Sequence, residues 1–214
     1  MSSDPSDSSG QRPSDSGSHL ERAAALVLDH ALTHDPTLGD ARLVCVDGPA
    51  GSGKTTLADR LLAAARRRVP STALVHMDDL YEGWDGLGPE LVARVKDTIL
   101  LPLAAGETGH HRRWDWYAGR WAEELIVDPA ALVVMEGVGS AALAYDDLVT
   151  TRVWIDAPRD LRLQRGLDRG DYGDPAHWLR WLDAEAAWLA AERTRERADV
   201  LVDGTGACPP RLAG

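Results

Sequence analysis

Residues 42–68 read RLVCVDGPAGSGKTTLADRLLAAARRR. The first six residues are a short apolar run that ends at Asp47, the next segment is dense in glycine, and the remainder is built from good helix formers that stop before Pro70. The stretch therefore predicts strand, glycine loop and helix in immediate succession. Within it, Gly48-Pro49-Ala50-Gly51-Ser52-Gly53-Lys54-Thr55 fits G-x-x-x-x-G-K-[ST] at every fixed position, in the strand-to-helix context that the motif requires. Glycines let consecutive backbone N–H groups curl around a phosphate, and the helix N-terminus turns its positive end to the same anion. On this reading Gly48, Pro49, Ala50, Gly51, Ser52, Gly53, Lys54, Thr55 and Thr56 bind a nucleoside triphosphate. Lys54 reaches the β- and γ-phosphates and Thr55 holds Mg²⁺ through its hydroxyl. ATP and Mg²⁺ are the expected cofactors. Lys54 and Lys96 are the two lysines among 23 Lys plus Arg, so the Arg bias of the chain spares the loop position.

Further apolar runs follow at Ser71–Met77, Ala131–Gly137, Arg152–Ala157 and Asp199–Gly204, with helical segments between them. These include Leu20 to His34 before the first strand, Pro89 to Leu103, Arg159 to Arg169, and a long segment from Ala176 to Arg197. Continuous apolar strands alternating with helices predict a five-stranded parallel sheet covered on both faces, an α/β three-layer sandwich. Ligands bind such sheets at the carboxyl ends of the strands. Four of the five strands end on or next to an acid, namely Asp47, Asp78, Glu136 and Asp156.

The chain has 214 residues, of which 44% are hydrophobic and 27% charged, which suits one folded domain. Residues 1–18 are polar and rich in Ser, Asp, Pro and Gly, and are expected to be a disordered tail, with the domain spanning 19–214. A formal net charge of -11 argues against nucleic acid or an anionic membrane as partner, so any phosphate must be gripped locally. The sequence shows neither a signal peptide nor a membrane span, and a cytoplasmic location is expected. Cys45 and Cys208 form no close-spaced pair, so no disulfide framework or zinc site is suggested. Eight Trp and no Phe are unusual.

The strand ends supply the chemistry. Asp78 stands beside the loop as the carboxylate that takes or orients an acceptor hydroxyl proton; Asp79 is more simply a cap. Glu136 ends an apolar strand where a carboxylate holds the water shell of Mg²⁺. Arg162, Arg165 and Arg169 share one side of a helix and are expected to close over the triphosphate as charge moves. A solvated basic stripe is the alternative. Arg66 to Arg68 complement a helix dipole. In His110 to Tyr117, read as a polar basic loop, Trp114 and Trp116 flank Asp115, a pattern that suits an acceptor pocket, with Tyr81, Trp84 and Asp85 on its other side. Trp178, Trp181 and Trp188 recur along the last helix and are assigned to packing.

The order GPAGSGKT, MDDLY, RRWDWYAGR, VVMEG and WIDAPRDLRLQRGLDRG resembles the uridine kinase branch of P-loop small-molecule kinases, related to phosphoribulokinase and bacterial pantothenate kinase. The likeness covers about residues 42 to 170. It implies a nucleoside/nucleotide kinase-like P-loop fold, Asp78 as catalytic acid–base group with Tyr81 beside it, and Trp114-Asp115-Trp116 in the acceptor pocket. It also implies Glu136 as metal carboxylate, and Arg162, Arg165 and Arg169 as lid arginines. Leu80 stands where the family has an aromatic, and Ala118-Gly119-Arg120 where it has a histidine. The expected activity is transfer of the γ-phosphoryl group of ATP to a hydroxyl of a nucleoside-like small molecule. A nucleoside monophosphate kinase, with His110 to Arg113 on the acceptor phosphate, and a P-loop ATPase or switch are the alternatives. Oligomeric state is left open.

Overall fold

The computed structural model describes residues 15–168 and 175–214. Its strands are β1 (Arg42–Asp47), β2 (Thr72–His76), β3 (Gly109–Asp115), β4 (Arg120–Val127), β5 (Leu132–Glu136), β6 (Thr151–Asp156), β7 (Val200–Asp203) and β8 (Arg211–Leu212). Its helices are α1 (Asp15–Thr33), α2 (Lys54–Ala65), α3 (Pro89–Val95), α4 (Leu101–Ala104), α5 (Arg159–Asp168) and α6 (Pro175–Ala191), with a π-helical turn joining α3 to α4. The main sheet has the order β2-β5-β1-β6-β7-β8; five strands are parallel and the short edge strand β8 is antiparallel.

The period-two alternation of a strand divides the core into two layers. Val44, Val46, Val134, Val153 and Ile155 pack on one face with Val27, Leu57 and Leu61 of α1 and α2. Leu43, Cys45, Val133 and Met135 pack on the other with Leu91, Val95, Ile99 and Trp181. Burial of both faces explains why β1 and β5 read as continuous apolar runs. β1 lies at the sheet centre, between β5 and β6, so the loop that follows it opens at the crevice where chain connections diverge to either side.

Four features differ from expectation. Helix α1 starts at Asp15, inside the stretch assigned to the tail, while residues 1–14 lie outside the described residues. Beside the five expected strands the sheet carries β8 at its edge. The final helix ends at Ala191; beyond it Arg193 adopts a left-handed backbone at φ 50° and the Thr194 amide bonds back to the Leu189 carbonyl, a common way to close a helix. His110 to Asp115 is not a loop but belongs to β3, paired with β4 in an antiparallel hairpin. Both faces of that hairpin carry charge, so no apolar alternation announces it. Its register rests instead on cross-strand pairs: Arg113 with Glu123 at 2.7 Å, and the Trp114 and Trp121 rings at 5.1 Å. No helix of the described residues is long and apolar enough to cross a membrane.

Candidate functional site

Gly48, Gly51 and Gly53 have φ of 141°, 77° and 107°, backbone that a side chain rarely tolerates. Space adds a second constraint at two of them: a Cβ would lie 2.0 Å from the Ile155 carbonyl oxygen at Gly48, and 2.5 Å from the Arg162 carbonyl oxygen at Gly51. The loop is thus wrapped between the end of β6 and helix α5. Helix α2 begins at Lys54, so its N-terminal amides point at the loop's concavity. Lys54 is buried, and its Nζ donates to the carbonyls of Gly48 at 2.9 Å and Pro49 at 3.0 Å. The buried Ser52 hydroxyl has no hydrogen-bond partner among the described residues. A curled amide-lined loop, a helix N-terminus and a buried ammonium fit a polyphosphate.

At the carboxyl end of β5, buried Glu136 accepts from the Thr55 hydroxyl at 3.1 Å and from His76 Nδ1 at 2.7 Å. Hard oxygen donors in this pairing suit Mg²⁺. The Glu136 hydrogen bond raises the His76 pKa, with burial opposing. Asp47, fully buried at the end of β1, accepts from the amides of Gly48, Gly139 and Ala141 at 2.7, 3.1 and 3.0 Å. It fastens the loop to the chain beyond β5; burial pushes its carboxyl up to about 6, against those amides and Lys54.

Beyond Lys54 and Thr55 a cleft opens, lined by Asp78, Tyr81, Trp84, Trp116, Glu136, Val138, Trp178 and Trp181 as well as by the loop. Asp78 sits on a single 3₁₀ turn that ends β2 and faces this cleft. Its neighbour Asp79 turns toward the hairpin, where burial raises its pKa against His76, His111 and Arg113. Tyr81 is buried and its hydroxyl donates to the Val138 carbonyl at 2.7 Å. Trp116 donates its indole N–H to the Asp78 carbonyl at 3.0 Å, which ties the hairpin tip to the acidic turn.

Three of the expected pocket residues stand elsewhere. Trp114 packs on Trp121, Asp115 accepts from the amides of Tyr117 and Ala118 at 3.0 and 2.9 Å to shape the hairpin turn, and Asp85 is exposed outside the cleft lining. Conversely, Trp178 and Trp181 pack the last helix as expected and also line the cleft, a role that their helical spacing conceals because packing and lining use the same face.

Arg162 and Arg165 also differ from the expected lid. Arg162 donates to the Ala157 carbonyl at 2.9 Å and pairs with Glu185 at 3.0 Å; Arg165 donates to the carbonyls of Gly51 at 3.0 Å and Gly204 at 3.1 Å. Both brace the back of the loop. Arg169 lies outside the described residues. Glu185, which sequence reasoning passed over, is 1% exposed and accepts from the Ala50 amide at 2.7 Å and the Trp181 indole at 3.1 Å. Burial raises its pKa, opposed chiefly by Lys54. Its only sequence signal is an acid on the apolar side of a Trp-rich helix. On the far side of the loop a second cleft is lined by Thr56, Arg165, Asp168 and Gly204 to Gly206, with His19 of α1 at its edge.

A glycine loop of the G-x-x-x-x-G-K-[ST] pattern between the first strand and its helix, in a parallel sheet with helices on both faces, is the arrangement of the P-loop fold. No family model and no curated protein matches the chain. Among solved structures it is similar to a protein assigned as a possible uridine kinase from Bacillus stearothermophilus, with a TM-score of 0.64 at 21% identity over 86% of this chain and 99% of the other. It is also similar to a protein described as a possible fructose transport system kinase from Silicibacter sp. TM1040, with a TM-score of 0.54 at 21% identity over 82% of this chain and 94% of the other. These likenesses show the fold alone: a three-layer α/β sandwich on a mostly parallel sheet, of the kind found in these two proteins.

Proposed function

We propose that the protein is an ATP-dependent kinase that transfers the γ-phosphoryl group to a hydroxyl of a small molecule. The observation that carries this reading is the meeting of Lys54, Thr55, Glu136 and Asp78 on one cleft that continues into an aromatic chamber. The two solved structures named above are described as possible kinases, which agrees with it.

The loop amides and Lys54 hold the triphosphate, while the second cleft, beside Thr56 and Arg165, receives the rest of the nucleotide. Thr55 and Glu136 would hold Mg²⁺, which screens phosphate charge when bound. Asp78 orients the acceptor hydroxyl and takes its proton as the acceptor oxygen bonds to the γ-phosphorus and the bond to the β–γ bridging oxygen breaks, releasing ADP. A carboxylate suffices for this, because most of the catalysis is positioning and charge stabilisation.

A nucleoside is the acceptor that the resemblance to uridine kinases implies. A phosphorylated acceptor is less well served: Arg113 is paired with Glu123, and Arg112 bonds the carbonyls of Trp121 and Ala122. The reading places the protein in the cytoplasm, where ATP is supplied.

The test is ADP release from ATP, with and without a panel of alcohols. Asp78→Asn is expected to lower kcat by roughly 10² to 10⁴ with ATP affinity retained. Lys54→Ala is expected to remove turnover and weaken ATP binding. ADP release that no acceptor accelerates would overturn the kinase reading in favour of hydrolysis.

A further inference from the structure

The walls of the cleft beyond Asp78 make an unusual enclosure. Tyr81 and Trp116 have ring centroids 6.5 Å apart at 70°, Trp116 and Trp84 5.4 Å at 69°, Trp84 and Trp181 6.1 Å at 74°, and Trp181 and Tyr81 4.9 Å at 63°. Four aromatic rings thus close a circuit of steep, edge-on contacts, and Trp178 meets Trp84 at 5.7 Å and 69° as a fifth wall. All five line the same cleft as Asp78. The polar ends of three of them are committed to protein acceptors: the Tyr81 hydroxyl to Val138, the Trp116 indole to Asp78 and the Trp181 indole to Glu185. What those rings offer a ligand is their carbon and π surface.

Shape and charge narrow the occupant. A flat base stacks on an aromatic ring that lies parallel to it, and each wall here is inclined to its neighbours by 63° to 74°, so a base laid on one ring meets the adjoining rings edge-on. A compact tetrahedral group meets such walls on several sides at once. Two carboxylates, Asp78 and Glu136, border the enclosure; among the described lining residues Lys54 is the one cation, and it is held by loop carbonyls. Ring quadrupoles and carboxylates both favour positive charge. We infer that the enclosure formed by Tyr81, Trp84, Trp116, Trp178 and Trp181 is an aromatic cage for an alkylated ammonium group, and that the acceptor is an amino alcohol whose hydroxyl reaches Asp78. This inference rests on the kinase reading for its second half; the cage itself does not.

The test separates the two. The full chain with Mg²⁺ and ADP is titrated with choline and, separately, with 3,3-dimethyl-1-butanol, its neutral isostere, while tryptophan emission is followed; sodium chloride controls for ionic strength. Choline is expected to bind about 10- to 30-fold more tightly than the isostere, the range of a desolvated cation–π contact. Trp84→Leu and Trp116→Leu, each checked for folding by circular dichroism, are expected to abolish most of that preference. Equal affinity for the two compounds, no binding of choline, or a preference unchanged in both variants would overturn the cage. ADP release is then measured with choline and with uridine. Release driven by uridine but not by choline keeps the kinase reading and overturns the cationic acceptor. Choline binding without acceptor-dependent release of ADP keeps the cage and overturns the kinase reading.

Discussion

The carboxylate of Glu185 lies 2.7 Å from the backbone nitrogen of Ala50, so a side chain of α6 occupies one of the donors of the phosphate loop. The same carboxylate holds Arg162 at 3.0 Å and the Trp181 indole at 3.1 Å. A single buried acid therefore joins three things that the proposed reaction needs in register: the loop, the helix that braces it from behind, and a wall of the cleft. In an acidic protein proposed to bind a triphosphate, this arrangement places the negative charge behind the loop, paired with an arginine.

Removing that acid while leaving its partners is expected to be costly. Glu185→Ala strands a buried guanidinium, a loop amide and an indole N–H, and breaking a buried pair in this way costs about 3–5 kcal/mol. Chemical denaturation of the variant against the native chain measures it. Glu185→Gln keeps an acceptor for the Ala50 amide and is expected to retain most of the stability. An effect of Glu185→Ala below about 1 kcal/mol would show that the three contacts do not act together.

Gly51 and Gly106 make a matched pair for the loop. Both have left-handed backbone, at φ 77° and 74°, but a Cβ on Gly51 would lie 2.5 Å from the Arg162 carbonyl oxygen and one on Gly106 would meet nothing within 4 Å. Gly106→Ala is expected to cost about 1–2 kcal/mol from backbone strain alone, with activity unchanged. Gly51→Ala is expected to cost more and to raise the KM for ATP, because α5 must move off the loop. Equal losses of stability with no change in KM would contradict the close packing of α5 on Gly51.

Asp47 predicts a pH dependence. Its folded pKa, pushed up to about 6 by burial, lies above the ordinary 3.8, so between those values the folded state binds more protons than the unfolded one. The contribution of Asp47 to stability therefore falls as pH rises from about 4 to 6 and is level above that. The loss is roughly 3 kcal/mol for a shift of this size. Unfolding of the native chain and of Asp47→Asn at several pH values gives the difference curve. A difference that stays flat across this window would place the Asp47 carboxyl at its ordinary pKa.

How much of this was legible in the sequence follows from which forces leave a local trace. The phosphate loop and its flanking elements were readable, because glycine backbone freedom and helix propensity act over a few neighbouring residues. The five parallel strands were readable too, since burial on both faces demands uninterrupted apolar runs such as those of β1 and β5. The hairpin was not: Arg112, Arg113, Glu123 and Glu124 specify its register through pairs across the turn, a relation absent from either strand alone. Nor was the role of Glu185, whose partners Ala50 and Arg162 are distant in sequence. Arg162 and Arg165 have the helical spacing expected of a lid, but spacing says nothing about which carbonyls they meet, and they meet those of the loop and its neighbours.

The two tryptophans that flank Asp115 are expected to separate in function. They stand two apart, a spacing that would share one face of a regular strand, but β3 ends at Asp115 and Trp116 lies in the turn beyond it: Trp114 packs on Trp121, whose ring also lies under the Arg94 guanidinium at 5.0 Å, while Trp116 lines the cleft and bonds the Asp78 carbonyl. Trp116→Ala removes a wall of the acceptor chamber and a support for the acidic turn, so it is expected to raise the acceptor KM at least about 10-fold, with the KM for ATP little changed. Trp114→Ala removes a ring from the hairpin's cross-strand pair, and its main effect is expected on stability, about 1 kcal/mol, with the acceptor KM near the native value. Steady-state kinetics on both variants, with ATP and acceptor varied in turn, checks the division. A larger rise in acceptor KM for Trp114→Ala than for Trp116→Ala would move the acceptor site out of the cleft between Asp78 and the indoles and onto the hairpin's outer face.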